Sequence, residues 1–85
     1  MMTRGEARER ILAAATALGK RHGETGVPNI RTQHTADYLT RLVAGQAGVG
    51  QFYRRRASGP GKIVDEFDVA ATYDAAYNAA LGRER

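Results

Sequence analysis

Residues 62–81 read KIVDEFDVAATYDAAYNAAL, and their spacing decides the fold class. Ile63, Phe67, Ala70/Ala71, Asp74, Tyr77 and Leu81 recur every three or four residues, which is the period of a helix with one inward face. Asp74 interrupts that face. Asp65, Glu66 and Asp68 crowd the first turns, where the helix dipole favours negative charge. Gly82 supplies a stop, with Arg83 and Arg85 beyond it. The spacing predicts a helix from Lys62 to Leu81, about 30 Å long at ~1.5 Å per residue.

Working back from that helix, Ser58-Gly59-Pro60-Gly61 breaks the chain. Lys62 after these glycines has the flavour of a phosphate loop, but the nucleotide-binding spacing is missing and Ile63 stands where Ser/Thr is needed. A helix-breaking linker is the simpler reading. Before it, Ala47-Gly48-Val49-Gly50 reads as a tight turn, and Gln51 to Arg56 as two turns of helix. Thr35, Tyr38, Leu39, Leu42 and Val43 predict an amphipathic helix from Thr32 to Ala44, ended by Gly45. At the start of the chain Thr3 and Glu6 form a capping box. Ala7, Ile11, Ala14/Ala15 and Leu18 then predict a helix from Arg4 to Arg21, stopped at Gly23. Residues 23–29 carry two glycines and a proline and read as a loop. The expectation is a single all-α domain over 1–85: three to four helices in a small helix-turn-helix-like bundle, with a long C-terminal helix.

Composition narrows the function. Leu, Ile, Val and Phe supply fifteen of 85 residues, under the ~20 % at which a self-sufficient core becomes doubtful. The 42 % hydrophobic content is carried by fifteen alanines, which favour helix but bury little area. A chain of this size buries only about 60–65 % of its unfolded surface, so a homo-oligomer or larger protein assembly is expected. There is no cysteine, hence no disulfide framework and no thiolate metal site. His22 and His34 lack a local carboxylate cluster, so neither a metal nor another cofactor is expected. No serine, histidine and carboxylate fall into a catalytic grouping, and the pairing of Asp65/Glu66 with Asp68 is more simply helix N-terminal charge. An enzyme is not expected. Arg4, Arg8 and Arg10 precede an apolar stretch, but Glu6, Glu9 and Lys20-Arg21-His22 give it the wrong polarity for a signal peptide. With no run long enough to span a bilayer, a cytoplasmic location without membrane contact is expected.

Charge is uneven. Residues 1–59 hold ten Lys/Arg against four Asp/Glu, whereas residues 60–85 hold three against five. A basic body with an acidic segment suits a polyanion on one surface and a protein on another. The densest basic run is Gln51-Phe52-Tyr53-Arg54-Arg55-Arg56, where guanidinium forks match phosphate oxygens and an aromatic adjoins them. A solvated run anchored by Phe52 in the core is the competing reading. In the last helix Ala70, Ala76 and Ala80 permit close helix approach, with Tyr73 and Tyr77 one turn apart. Ala70, Tyr73, Ala76, Tyr77 and Ala80 are therefore candidates for a partner interface, with packing against the first helix as the alternative.

A family resemblance adds to this. Ala7 to Ala15 with Leu18 and Gly23 resemble the first helix of TetR-type repressors. Val43 to Gly50 resemble that family's second helix and turn, Phe52-Tyr53-Arg54-Arg55 the end of its recognition helix, and Ser58 with Lys62-Ile63-Val64 the entry to its fourth. The stretch between Gly23 and Val43 is longer than the family's, and the one after Gly50 is shorter. Six residues after Gly48 stands Arg54, where the pattern carries an apolar side chain. The resemblance implies phosphate contacts from Tyr53 and Lys62, with Gly50 and Gln51 near base edges. The expected nucleic-acid-binding set is therefore Gly50, Gln51, Tyr53, Arg54, Arg55, Arg56 and Lys62. The expected function is a small basic helical DNA-binding protein that acts by occupancy. From a different class comes the alternative of a structural or assembly subunit, such as a small phage virion or accessory protein, docking through its alanine-rich last helix.

Overall fold

The computed structural model describes residues 2–55 and 62–83, apart from the side chains of Arg55 and Arg83. The described residues form an all-α bundle without strands: α1 (Arg4–Thr25), a 3-10 turn (Ile30–Thr32), α2 (Ala36–Gln46), α3 (Gly50–Arg55) and α4 (Glu66–Arg83). The expected break at 58–61 lies outside the described residues.

Thr3 caps α1 as expected, its Oγ1 accepting the Glu6 amide at 3.1 Å, while the Glu6 carboxylate takes the Thr3 hydroxyl at 3.3 Å in place of the backbone amide a full capping box uses. Ala7, Ile11, Ala15 and Leu18 are buried along α1. The helix does not stop at Gly23. It continues to Thr25 and is closed by Gly26, whose φ of 76° is the left-handed conformation that glycine adopts without strain. Gly19 and Gly23 instead sit buried on the face that meets α4. A Cβ on Gly19 would fall on the Tyr73 carbonyl oxygen, and one on Gly23 would lie 2.5 Å from that of Tyr77. The two helices thus pack backbone to backbone.

α2 starts later than its apolar spacing suggested. Residues 30–32 form the 3-10 turn, and Thr35 Oγ1 caps α2 by accepting the Tyr38 amide at 3.1 Å. Its buried face is Ala36, Leu39, Thr40, Val43 and Ala44, and Tyr38 is 45 % exposed. Thr40 is buried because its hydroxyl bonds back to the Ala36 carbonyl at 2.8 Å. The helix also runs through Gly45 to Gln46. Gly48 (φ 78°) then reverses the chain, with Gly48 N–H bonded to Gly45 O and Val49 N–H to Ala44 O, the Schellman pattern.

α4 begins at Glu66 and not at Lys62. Asp65 accepts the Phe67 amide at 2.7 Å, and Ile63 and Val64 are buried in the non-helical segment before it. The inward face is Val69, Ala70, Tyr73 and Ala80, so Phe67 points outward and is 66 % exposed. The helix also passes through Gly82, which is not its stop. On α2 Ala36 and Ala44 share the inward face with Leu39 and Val43, and on α4 Ala70 and Ala80 share it with Val69 and Tyr73, while Tyr38 and Phe67 face out.

One core joins all four helices. Tyr53 and Tyr73 are the largest fully buried side chains. Each aromatic ring of this kind covers about 150–250 Å², which supplements the few aliphatics. Among the described residues no buried side-chain polar atom lacks a hydrogen-bond partner.

Candidate nucleic-acid interface

α2, the turn and α3 bring several expected residues together. Arg41, Gly45, Gly50, Tyr53 and Arg54 line one cleft of about 270 Å³. An adjoining hollow of about 430 Å³ runs from Met2 past Gly48, Gly50 and Gln51 to Phe52 and Arg54. Gly45 and Gly50 leave the backbone bare between the two: a Cβ on Gly50 would lie in ordinary contact with Gly45 Cα, at 3.5 Å. Gln51 and Arg54 are exposed, and Arg54 makes no ion pair with a described residue.

Tyr53 belongs to the core. It is 1 % exposed, and its hydroxyl donates to Asp37 Oδ1 at 3.4 Å. Burial first, and then the Asp37 carboxylate, pushes its pKa up to about 12, so at neutral pH it remains a buried donor. The expected phosphate contact from Tyr53 is therefore corrected: Val49 and Tyr53, four apart, anchor α3 against α2. Arg54, in the position where the resemblance wanted an apolar residue, is free to face solvent because Tyr53 does that packing.

Lys62 lies before α4, with Nζ 3.5 Å from Glu66 Oε2, so its charge is partly engaged within the chain. Arg56 and the Arg55 side chain lie outside the described residues. Sequence reading overlooked Arg41, which pairs through Nε with Asp37 Oδ2 at 3.0 Å. Both partners are well exposed, and such pairs contribute only about 0–1 kcal/mol, so the guanidinium can exchange its partner for a phosphate. The missed signal was the spacing of Arg41 and Gly45, which places both on one line of α2.

The expected partner interface is largely used inside the chain. Ala70, Tyr73 and Ala80 are buried, and Ala76 and Tyr77 are half-buried. Gly19 and Gly23 of α1 occupy the space beside Tyr73, Ala76, Tyr77 and Ala80, so the alternative reading, packing against the first helix, is the observed one. Polar groups fix this seam. The Tyr73 hydroxyl accepts the Ile30 amide at 3.1 Å and lies 2.7 Å from His22 Nδ1. Tyr77 donates to Val27 O at 2.8 Å, and Asn29 Nδ2 donates to Asp74 Oδ1 at 2.9 Å. Asp74, which interrupted the apolar pattern, thus holds the segment after α1.

Among the described residues there is no group of three or more His, Cys, Asp or Glu side chains that could hold a metal ion. No described helix is long and apolar enough to cross a membrane. Comparison with family models, curated proteins and solved structures found no match.

Proposed function

We propose that this chain is a small DNA-binding protein that acts by occupancy, gripping backbone phosphates across α2 and α3. The observation that carries the reading is the cleft where Arg41 and Arg54 flank the bare backbone of Gly45 and Gly50. Guanidinium forks beside open backbone suit phosphate oxygens, and the net charge of +4 adds long-range attraction. α2, the Ala47–Val49 turn and α3 also follow one another in helix-turn-helix order. With six residues and Tyr53 turned inward, α3 offers Gln51 and Arg54 outward, which favours phosphate contact over extensive base reading.

The test is salt dependence. Duplex binding by the parent should weaken with salt at a log–log slope of about −0.9 per phosphate neutralised. Replacing Arg54, Arg55 and Arg56 together by Ala should reduce that slope by about two to three. No binding by the parent to duplex or single-stranded DNA at physiological salt, or a slope unchanged in the triple variant, refutes the reading. The assembly alternative has lost most of the surface it relied on, because Ala70, Tyr73 and Ala80 already pack within the chain.

A further inference from the structure

On α2, Tyr38, Arg41 and Gly45 stand three and four residues apart, so they form one line on the helix surface, and His34 lies just before the helix. At the near end the His34 and Tyr38 rings are stacked, with centroids 4.1 Å apart and planes 16° from parallel. Both residues are exposed. Arg31 Nη1 donates to the His34 carbonyl at 3.0 Å, which fixes a second cation beside the rings. At the far end the line enters the Arg41–Gly45–Gly50–Arg54 cleft.

An exposed ring pair at the head of a cationic line has no use for a base-paired duplex, whose bases are already stacked on one another. It suits a strand whose bases are free. Aromatic side chains that take unpaired bases, beside cations that track the backbone, are the general means of binding single strands. Asp37 sets the polarity of the arrangement. Its carboxylate, bonded to Arg41 and Tyr53, repels phosphate near the Tyr38 end. That end therefore suits a neutral base, and the side toward Arg41 and Arg54 suits phosphate. From Tyr38 to Gly45 the helix rises about 10 Å, which is roughly three nucleotides at the duplex rise and fewer when a strand is extended.

We propose that the His34–Tyr38 ring pair is a stacking platform for an unpaired nucleobase, and that the cleft beyond it holds the phosphates of the same single strand. The proposal rests on the nucleic-acid reading above and adds the class of strand preferred.

The probes are a fluorescein-labelled oligothymidylate and a labelled duplex of equal length, titrated with the full chain at one salt concentration. The parent should bind the single strand more tightly. Tyr38→Ala should weaken single-strand binding roughly fivefold to a hundredfold, as loss of one stacked base does, and leave duplex affinity unchanged. Tyr38→Phe should retain single-strand binding, and His34→Ala should weaken it in the same selective way. Arg41→Ala should weaken both probes. Equal affinity of the parent for the two probes overturns the platform, as does Tyr38→Ala affecting both equally or neither, and in each case phosphate binding is left standing. If the parent binds neither probe, the nucleic-acid reading fails and the platform fails with it. Thermal unfolding of each variant separates these outcomes from loss of fold, and Tyr38→Phe keeps the ring wherever Tyr38→Ala proves unstable.

Discussion

Gly23→Ala inserts a single methyl group where α1 and α4 touch. That methyl would lie 2.5 Å from the Tyr77 carbonyl oxygen, 2.9 Å from Ala80 Cβ and 3.2 Å from the Leu81 nitrogen. Unstrained carbon contacts sit at about 3.5–4.0 Å, so the helices would have to part locally by about 1 Å. The obstacle is backbone and cannot rotate away. Overpacking costs ~1–3 kcal/mol in general, and an obstacle of rigid backbone puts this case in the upper half, about 2–3 kcal/mol. Replacing glycine by alanine inside a helix returns up to ~1 kcal/mol, which leaves a net loss of about 1–2 kcal/mol. For a domain of this size each kcal/mol moves the midpoint by about 4–8 °C, so thermal unfolding followed by circular dichroism should fall by roughly 5–15 °C. Gly82→Ala is the control of opposite sign. Nothing lies within 4 Å of its Cβ position, so only the helix-propensity gain remains. If Gly23→Ala melts at or above the parent temperature, the close approach of α1 and α4 is refuted.

Other outcomes follow from the same geometry. Burial first, and then the neighbouring Arg21 charge, lowers the His22 pKa below its ordinary 6.5. The folded state therefore binds fewer protons than the unfolded one, and this contribution is complete above about 6.5 and lost as pH falls from there through the depressed folded value. Denaturant midpoints should decline over that window in the parent and stay flatter in His22→Gln. Tyr53, raised to about 12, acts in the other direction: its contribution is present below the unfolded value near 10 and lost as pH rises toward 12. An alkaline ultraviolet titration should show a tyrosine ionising late, and a titration complete well before that pH would contradict its burial. Tyr77→Phe removes the bond to Val27 O and should cost about 0.5–1.5 kcal/mol by urea unfolding; no change would mean that the bond contributes nothing. Thr35→Ala removes the α2 cap and should cost about 0.5–2 kcal/mol, with an unchanged midpoint counting against that capping role.

Much of the helical framework was legible in the sequence, but its faces were only partly so. Ala7, Ile11, Ala15 and Leu18 were readable because their helical spacing coincides with the buried face of α1, with Ala14 half-buried at its edge. In α2 and α4 the chosen spacing pointed Tyr38 and Phe67 inward, whereas the buried faces run through Ala36, Leu39, Val43 and Ala44 and through Val69, Ala70, Tyr73 and Ala80, which leaves those two rings outside. Gly23 looked like a stop because glycine is a poor helix former. On the Ala15–Leu18 side of α1, with Gly19 four residues before it, it was a packing signal. At the candidate interface Arg54 and the Gly48 turn were visible as charge and turn chemistry. Tyr53 was misread because its neighbours are arginines, although Val49 four residues earlier marked it as an anchor. Arg41 was missed because it stands alone in sequence and meets Arg54 only once α2 and α3 are folded together.

The joint between α1 and α4 also orders events in time. Gly19 meets Tyr73, and Gly23 meets Tyr77, across 54 intervening steps of chain in each case. At a synthesis rate of about 5–20 residues per second, the glycine side of α1 waits several seconds for its counterpart to be made. During that interval the Gly19–Gly23 face of α1 lacks its α4 counterpart, and closing so long a loop carries its entropy cost before the joint offsets it. Closure of the α1–α4 joint therefore waits until α4 has been made. A free peptide with the sequence of α4 would compete for α1 on the nascent chain and not on the finished one.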